Sequence, residues 1–399
     1  MFGLSPAVSV ADSLNHYLST GQLRAGIGHY RQPAVATHEA ERLFSLGVLQ
    51  FFSALEGFAQ GLYTAGLDSQ TGAELNLPFF RLPVPDNDDP RPVSAGDIGR
   101  VFEQFHRDLE ETNTTLKRAG AALAADPGDP PLALAVDLGH IILDLNGDGR
   151  AGEEERFFNI YQTYNRGVGD PADQPFTIHF DGGDLHWLKG YTHLLLALLD
   201  SLLAYDGSQL FARAGHLLFP NAQTPLAEQL RQHASSEGQR WADWVAALHS
   251  LNFELRQPQR LESAHGHLLA MVTSSRASWR LINAERDNRG EWIPNAHQQS
   301  VTGWSIDAAM IAGWHDFLQR LEDILQGEVL IPHWRFGAGQ GINLQRVFTE
   351  PRPFDLLLWI QGSAALPYLE AGQVVTPEEG RQLQRLFQGN FIGFALWIN

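Results

Sequence analysis

Residues 38–66, HEAERLFSLGVLQFFSALEGFAQGLYTAG, carry the pattern that decides the fold class. Their apolar side chains recur three or four positions apart, which is the period of one face of an α-helix. The members of that face are Leu43, Phe44, Leu46, Leu49, Phe52, Leu55, Phe58 and Leu62. Thr37, Glu39 and Glu41 precede the face and Gly66 follows it, as is usual at helix ends. The segment therefore predicts one long amphipathic helix.

The same period recurs along the rest of the chain and predicts a mainly α protein with few short strands. Further helices are predicted at 98–123, 184–205, 225–254, 259–285, 307–326 and 377–388, and short β-favouring segments at 176–180, 329–335 and 391–398. Proline, aspartate and glycine concentrate at 68–97 and predict an extended loop or lid. We expect a large multi-helix, bundle-like fold, divided into an N-terminal helical region, 1–130, and a helical core region, 131–399.

Residues 144–155, DLNGDGRAGEEE, match the calcium loop of an EF-hand at every ligand position. The pattern needs oxygen donors at positions 1, 3, 5, 7, 9 and 12, the last a bidentate carboxylate. These positions hold Asp144, Asn146, Asp148, Arg150, Gly152 and Glu155. Gly149 stands at position 6, where the chain must turn sharply. The predicted cofactor is therefore Ca2+. An ion-free polar turn or a magnesium site is the alternative.

The flanks of the loop predict a helix on each side. Leu134, Leu138, Ile141 and Ile142 precede the loop with helical spacing. The apolar residues that follow it with the same spacing are Phe157, Ile160, Tyr161 and Tyr164. Since the chain shows no second loop of this kind to pair with, we expect calcium to act as a structural clamp rather than as a sensor.

The composition excludes several classes of function. The 399-residue chain has a net charge of −18 and contains no cysteine, which excludes disulfides, thiolate catalysis and cysteine-type zinc sites. An acidic chain with no basic run is repelled by nucleic acid and anionic lipid, and its longest apolar stretch, 191–205, is too short to span a bilayer. We therefore expect neither nucleic acid binding nor membrane insertion.

The compartment is predicted from calcium rather than from a targeting signal. The amino terminus, MFGLSP, has no basic region and no sustained apolar run, so no signal peptide is visible. Cytosolic free calcium is too scarce to fill a weak site. We therefore expect a periplasmic or extracellular location, and another exported protein as partner. The sequence does not indicate an oligomeric state.

A second candidate site is built around Asp181, Asp184, His186 and His193. Carboxylates and imidazoles are the ligands of metal-dependent hydrolases, so this segment carries the alternative function, a metal-dependent hydrolase. The competing interpretation is a turn and a helix cap, with Asp184 accepting first-turn N–H groups. Because His186 and His193 are about 10.5 Å apart along a helix, both cannot bind one ion. The pattern leaves open whether the protein is an enzyme.

Four charged residues, Arg346, Glu350, Arg352 and Asp355, adjoin the apolar run 356–360. Charges beside such a run are usually paired, so an ion-pair network is the first interpretation and a carboxylate-binding pocket built on the arginines is the second. The chain has no nucleophile elbow, phosphate loop or dinucleotide fingerprint.

Residues 180–191, FDGGDLHWLKGY, together with the calcium loop and residues 347–352, VFTEPR, resemble a family of uncharacterised bacterial, mostly helical proteins. The resemblance extends to residues 46–51 and implies a helical fold, a calcium loop and export, but no reaction. The function predicted from the sequence is a calcium-binding helical protein that acts as a binding or scaffold module without catalysis.

Overall fold

The computed structural model describes residues 10–33, 38–126, 132–150, 152–164, 176–230, 237–301, 303 and 305–386. Its α-helices in chain order are α1 Val10–Ser19, α2 Leu23–Tyr30, α3 Glu39–Thr64, α4 Ser69–Glu74, α5 Ala95–Ala125, α6 Phe157–Tyr164, α7 Gly182–Leu203, α8 Ser208–Ala214, α9 Pro225–Leu230, α10 Glu237–His249, α11 Pro258–Ile282, α12 Ala308–Leu325, α13 Leu344–Thr349, α14 Leu356–Gln361 and α15 Pro377–Leu386. The protein is therefore mainly α, as predicted.

The long helices confirm the periodicity argument. The helix predicted at 38–66 is α3, and those at 98–123 and 184–205 are α5 and α7. The helix predicted at 225–254 corresponds to α9 and α10, which lie on either side of residues 231–236, and those six residues are outside the described ranges. Its predicted end was wrong, because α10 ends at His249 and Asn252–Phe253 is a short strand.

A glycine allows α3 and α5 to approach closely. A Cβ atom placed on Gly47 of α3 would lie 2.6 Å from Leu116 Cδ2 of α5, well inside van der Waals contact. Leu116 is fully buried there, and the Gln50 side-chain amide donates a 2.8 Å hydrogen bond to Glu111 one turn away. Any larger residue at position 47 would require the Leu116 side chain or the helices themselves to move.

The helices and strands form two compact units, each assembled from three separate stretches of chain. The first contains residues 1–60, 107–192 and 277–308, and the second contains residues 61–106, 193–276 and 309–399. The division of the sequence at residue 130 into two regions is a different partition and stays a prediction. Fully buried tryptophans occur in both units, Trp279 in the first and Trp314 in the second.

Among the described residues, six short strands form three two-stranded antiparallel sheets. The strands are β1 Leu134–Asp137, β2 Thr177–Phe180, β3 Asn252–Phe253, β4 Gln340–Ile342, β5 Phe354–Asp355 and β6 Leu369–Ala371. β1 pairs with β2, β3 with β5 and β4 with β6. The strand predicted at 176–180 is confirmed as β2. At 329–335 the structure has isolated bridges from Leu330 and Ile331, and 391–398 lies outside the described residues.

The helix predicted before the calcium loop was wrong. Residues 134–137 are the strand β1, and Leu138–His140 is a single 3-10 turn. Leu134 and Val136 are both fully buried while the residues between and after them are half-buried, so the side chains alternate with the period of a strand. Pairing with β2 places Leu134 opposite Phe180 and satisfies the backbone of this segment. The loop therefore follows a strand and a turn, and precedes the predicted helix, α6.

The segment 68–97 is not fully extended. It begins with α4, whose first turn is capped by Asp68, and it ends in the first turn of α5. Leu82, Val84 and Val93 are buried, so the irregular part packs into its unit through apolar contacts. Among the described helices, none is both long and apolar enough to cross a membrane.

Candidate functional site

The predicted calcium loop is closed at its neck by backbone hydrogen bonds. The N–H of Leu143 donates to the carbonyl of Glu155 at 3.2 Å, and the N–H of Phe157 donates to the carbonyl of Ile141 at 2.9 Å. Ile142 and Arg156 form the antiparallel bridge between these two bonds. The first and last residues of the loop are therefore held at a common base, as a ring of ligands requires.

The first half of the loop folds around the side chain of Asp144. Asp144 Oδ1 accepts the N–H groups of Gly147 at 2.7 Å and of Asp148 at 3.1 Å, and its Oδ2 accepts the N–H of Gly149 at 3.0 Å. The side chain of Asn146 likewise accepts from the N–H of Asp148 at 2.8 Å. Gly147 and Gly149 have φ angles of 77° and 79°, which residues with a Cβ atom rarely adopt. The bend depends on these two glycines.

The second half of the loop contacts the first half through the side chain of Glu155. Glu155 is 1% exposed, and its Oε1 accepts the N–H groups of Leu145 at 2.8 Å and of Asn146 at 3.2 Å. Its Oε2 accepts the N–H of Gly152 at 3.0 Å. The N–H of Arg150 donates to Asp148 Oδ1 at 2.7 Å, and residue 151 lies outside the described residues. The Glu155 carboxylate therefore faces the loop and lies beside its first ligand positions.

Two side chains of α3 fix the loop from behind, and sequence reasoning missed both. Glu56 Oε2 accepts the N–H of Asp144 at 2.9 Å, and Gln60 Nε2 donates to the carbonyl of Asp144 at 2.7 Å. Burial raises the pKa of Glu56 to about 7, and the charges of Asp144 and Glu155 contribute in the same direction. A lone acid in the apolar stretch 51–58 was the available signal, since buried acids normally have a partner.

The donor set fits a hard cation in its chemistry. Asp144, Asp148 and Glu155 supply carboxylates, Asn146 would supply an amide oxygen and Arg150 a backbone oxygen, all of which calcium accepts. Within the part of the chain that the structure describes, no three His, Cys, Asp or Glu side chains are grouped closely enough to hold a metal ion. The three loop carboxylates are instead held by backbone N–H groups.

The Asp181 and Asp184 side chains form a reciprocal cap at the start of α7. Asp181 Oδ1 accepts the N–H groups of Gly183 at 2.6 Å and of Asp184 at 3.3 Å, while Asp184 Oδ2 accepts the N–H of Asp181 at 3.1 Å. The cap interpretation is right, but Asp181, not Asp184, accepts the first-turn N–H groups. This arrangement is a capping box, in which each side chain satisfies a backbone donor near the other.

Two glutamates outside the predicted set join these aspartates. The carboxyl of Glu285 lies close to that of Asp181, and two neighbouring carboxyl groups are more stable sharing a proton than both ionised. Burial and then the contact with Asp181 raise the pKa of Glu285 to about 9, and burial raises the pKa of Glu291. Burial, followed by the charge of Asp181, holds the pKa of Asp184 well above its ordinary value. The cluster therefore retains protons at neutral pH.

This cluster predicts that Glu285→Gln stabilises the protein at alkaline pH. Because the folded state binds the Glu285 proton more tightly than the unfolded state, wild-type stability falls as pH rises from about 4.5 to about 9. Glutamine supplies an N–H donor to Asp181 at every pH. We expect a gain of about 1 kcal/mol at pH 8, reduced by solvent screening because Glu285 is partly exposed, and no gain at pH 4. Thermal unfolding at the two pH values measures it.

Glu262→Gln is the matched control, because Glu262 is exposed. It should leave the unfolding temperature unchanged at both pH values. An equal effect of Glu285→Gln at pH 4 and pH 8 would contradict the shared proton between Glu285 and Asp181.

The histidines of the second candidate site lie apart from this cap. His193 is nine residues beyond Asp184 on α7, a rise of about 13.5 Å. His186 lies two residues beyond Asp184, and burial lowers its pKa to about 4, with the charges of Lys189 and Arg280 adding to the effect. The structure therefore does not gather Asp181, Asp184, His186 and His193 at one point.

His193 belongs instead to a buried polar network in the second unit. Its Nδ1 lies 2.8 Å from Nδ1 of His267, whose Nε2 is 3.8 Å from Asp200 Oδ2. Asp200 is 2% exposed and its Oδ1 contacts His106 Nε2 at 2.9 Å and Arg260 at 2.8 Å. Burial raises the pKa of Asp200, but the hydrogen bonds and charges of His106 and Arg260 outweigh it and lower the pKa overall. The network holds a charged carboxylate inside the unit.

The carboxyl-terminal charges divide between two roles. Arg346 pairs with Glu350 at 2.7 Å and with Glu370 at 3.0 Å, which supports the ion-pair interpretation. Asp355 caps α14 by accepting the N–H of Leu358 at 2.9 Å. Arg352 joins neither arrangement and lines a cavity between β5, α14 and the segment 331–347.

Comparison of the chain with models of protein families, with curated proteins and with solved structures finds no match. The resemblance to uncharacterised bacterial helical proteins therefore stays a prediction.

Proposed function

We propose that this protein is a calcium-binding helical module in which one calcium ion at residues 144–155 clamps the fold, and that it acts as a binding or scaffold module without a catalytic step. The observation that carries the proposal is the loop itself. Glu155, eleven residues beyond Asp144, is buried and turned towards the first loop positions. Six donors in the order that calcium loops require thus belong to one closed bend.

The negative charge of the loop supports the proposal that it binds a cation. Asp144, Asp148 and Glu155 contribute three carboxylates, and Glu56 contributes a fourth ionisable group directly behind them. Like charges confined in one bend repel each other and destabilise it. A divalent cation would offset this repulsion more fully than the backbone N–H groups that the carboxylates now accept.

The contacts of the loop support a clamp rather than a sensor. The neck of the loop joins the segment after β1 to the start of α6, and Asp144 is fixed to α3 through Glu56 and Gln60. An ion bound by Asp144 and Glu155 would therefore tie three elements of the first unit together. Structural stabilisation follows, because a ligand bound only by the folded state favours that state.

Isothermal titration calorimetry of calcium into chelator-treated protein tests the proposal. The wild-type protein should bind one equivalent. Glu155→Gln should weaken binding by about 100-fold, because the ion loses its bidentate carboxylate. Glu154→Gln removes the same charge at the neighbouring, exposed position and should bind calcium like the wild type. Absence of binding to the wild-type protein, or equal binding by Glu155→Gln, would refute the proposal.

Location and partner follow from the same proposal. A site with a single loop and no paired loop suits the higher calcium concentration outside the cytosol, so we propose a periplasmic or extracellular location and an exported protein as partner. A metal-dependent hydrolase at Asp181, Asp184, His186 and His193 remains the alternative prediction. No contact among the described residues favours it, because His193 is directed to His267.

A further inference from the structure

The second unit contains a cavity of about 340 Å³ that is independent of the calcium loop. This volume is within the roughly 300–1,000 Å³ of small-molecule sites, and the lining is mostly apolar, as in such sites. The aromatic part of the wall comes from Tyr205, Phe354, Trp359 and Tyr368, and the aliphatic part includes Ile331 and Ile342. The Trp359 and Tyr368 rings are stacked, with centroids 5.8 Å apart and planes at 9°.

A positive charge stands at one side of this apolar wall. Arg352 lines the cavity and is exposed to solvent. Its side chain lies beside the hydroxyl of Tyr368, which donates to the carbonyl of Glu350 at 3.0 Å. The Tyr205 hydroxyl donates to the carbonyl of Arg352 at 3.3 Å. Two tyrosines therefore fix the position of one arginine.

The carboxylates near the cavity are already paired with a different arginine. Arg346 forms ion pairs with both Glu350 and Glu370, at 2.7 Å and 3.0 Å. In the described ranges of the chain no carboxylate forms an ion pair with Arg352. The charge of Arg352 contributes to a lowered pKa of Glu350 without forming an ion pair with it. In a protein with 46 acidic residues and 28 lysines and arginines, an arginine with no direct ion pair at the edge of a cavity is suited to bind an anion from solution.

The other basic side chain in the lining is His333, and backbone groups occupy both of its ring nitrogens. Its Nδ1 accepts the N–H of Arg335 at 3.2 Å, and its Nε2 lies 3.0 Å from the carbonyl oxygen of Trp359. The hydrogen-bond donors offered to a ligand are therefore those of Arg352, whose single charge fits one carboxylate.

We infer that the cavity binds a small aryl monocarboxylate, with its ring against Trp359 and Phe354 and its carboxylate on Arg352. A guanidinium binds a carboxylate through two parallel hydrogen bonds, and a planar ring matches the flat aromatic wall. A cationic ligand would be repelled by Arg352, and a neutral one would not offer its guanidinium a negative charge.

Calorimetry with indole-3-acetate and its uncharged analogue indole-3-acetamide tests this inference. The wild-type protein should bind the acid about tenfold or more tightly than the amide, because a hydrogen bond to a charged group is lost with the amide. Arg352→Gln should bind the two equally and should match the wild type in its affinity for the amide. Arg346→Gln, which removes an arginine from the same segment, should keep the preference for the acid.

One further variant and three defined outcomes make the test decisive. Val347→Trp fills the cavity and should abolish binding of both compounds, while circular dichroism and the unfolding temperature check that each variant is folded. Equal affinity of the wild-type protein for acid and amide, no binding of either at millimolar concentration, or an undiminished acid preference in Arg352→Gln would each overturn the inference. None of these outcomes bears on calcium binding at residues 144–155, so the two proposals fail separately.

Discussion

The Asp144→Ala variant is expected to lose the response of its unfolding temperature to calcium. At a free calcium concentration 100 times the dissociation constant, a bound ion stabilises the folded state by about 2.7 kcal/mol. For a chain of 399 residues this corresponds to a decrease of about 3 °C when calcium is removed by a chelator. Asp144→Ala should show no such decrease. Thermal unfolding by circular dichroism, with and without chelator, measures both.

The calcium response, rather than the unfolding temperature itself, is the decisive quantity. Asp144 also accepts three backbone N–H groups, so its removal destabilises the loop even without an ion. Asp144→Asn keeps an acceptor oxygen and should separate the two effects. Asp88→Ala, at an exposed aspartate outside the loop, is the control and should respond to chelator like the wild type. A chelator effect of full size in Asp144→Ala would show that the ion is bound elsewhere or not at all.

The Asp200→Ala variant is expected to be destabilised by about 3–5 kcal/mol at pH 7. Its carboxylate is buried and contacts His106 and Arg260, and removal of one member of a buried charge pair leaves the other without compensation. Urea unfolding should show a lower midpoint with an unchanged slope. Asp206→Ala, which breaks an ion pair to the exposed Arg256, should cost about 1 kcal/mol or less.

The stability difference between the wild-type protein and Asp200→Ala should decrease as pH falls. The folded pKa of Asp200 is lower than its ordinary value, so its stabilising contribution is present above the unfolded pKa of about 3.9 and is lost as pH falls through the folded pKa. The wild-type protein and Asp200→Ala should therefore approach each other in stability below about pH 4. A difference of constant size from pH 7 to pH 3 would mean that Asp200 acts through packing rather than through its charge.

The helices could be predicted because their signal is local. The apolar face of residues 38–66 repeats over several turns, and α3 occupies Glu39–Thr64. The bend of the loop was likewise predictable, since Gly149 has the positive φ angle that its position requires. The order of the six oxygen donors is also a property of twelve consecutive residues. Each of these features depends on neighbours within a few positions along the chain.

The strand β1 could not be predicted in the same way. Leu134, Leu138, Ile141 and Ile142 fit a helical period, yet the segment forms a strand because β2 offers backbone partners from Thr177 to Phe180. The apolar pattern of this short segment is compatible with both periods, so the distant partner decided between them. The same reason explains the failure to group His193 correctly, because its neighbour His267 is 74 residues away.

The sequence by itself determined the mainly α fold class, the long helices, and a closed bend with calcium-type donors, because the contacts behind them join residues one or two turns apart. The tertiary structure decided which distant side chains contact those elements. It placed Glu56 behind Asp144 across 88 residues, Arg260 against Asp200 across 60, and Arg352 beside an aromatic wall to which Tyr205 contributes. Such contacts depend on how distant segments pack to bury their apolar faces, and the pattern of any single segment does not contain that information.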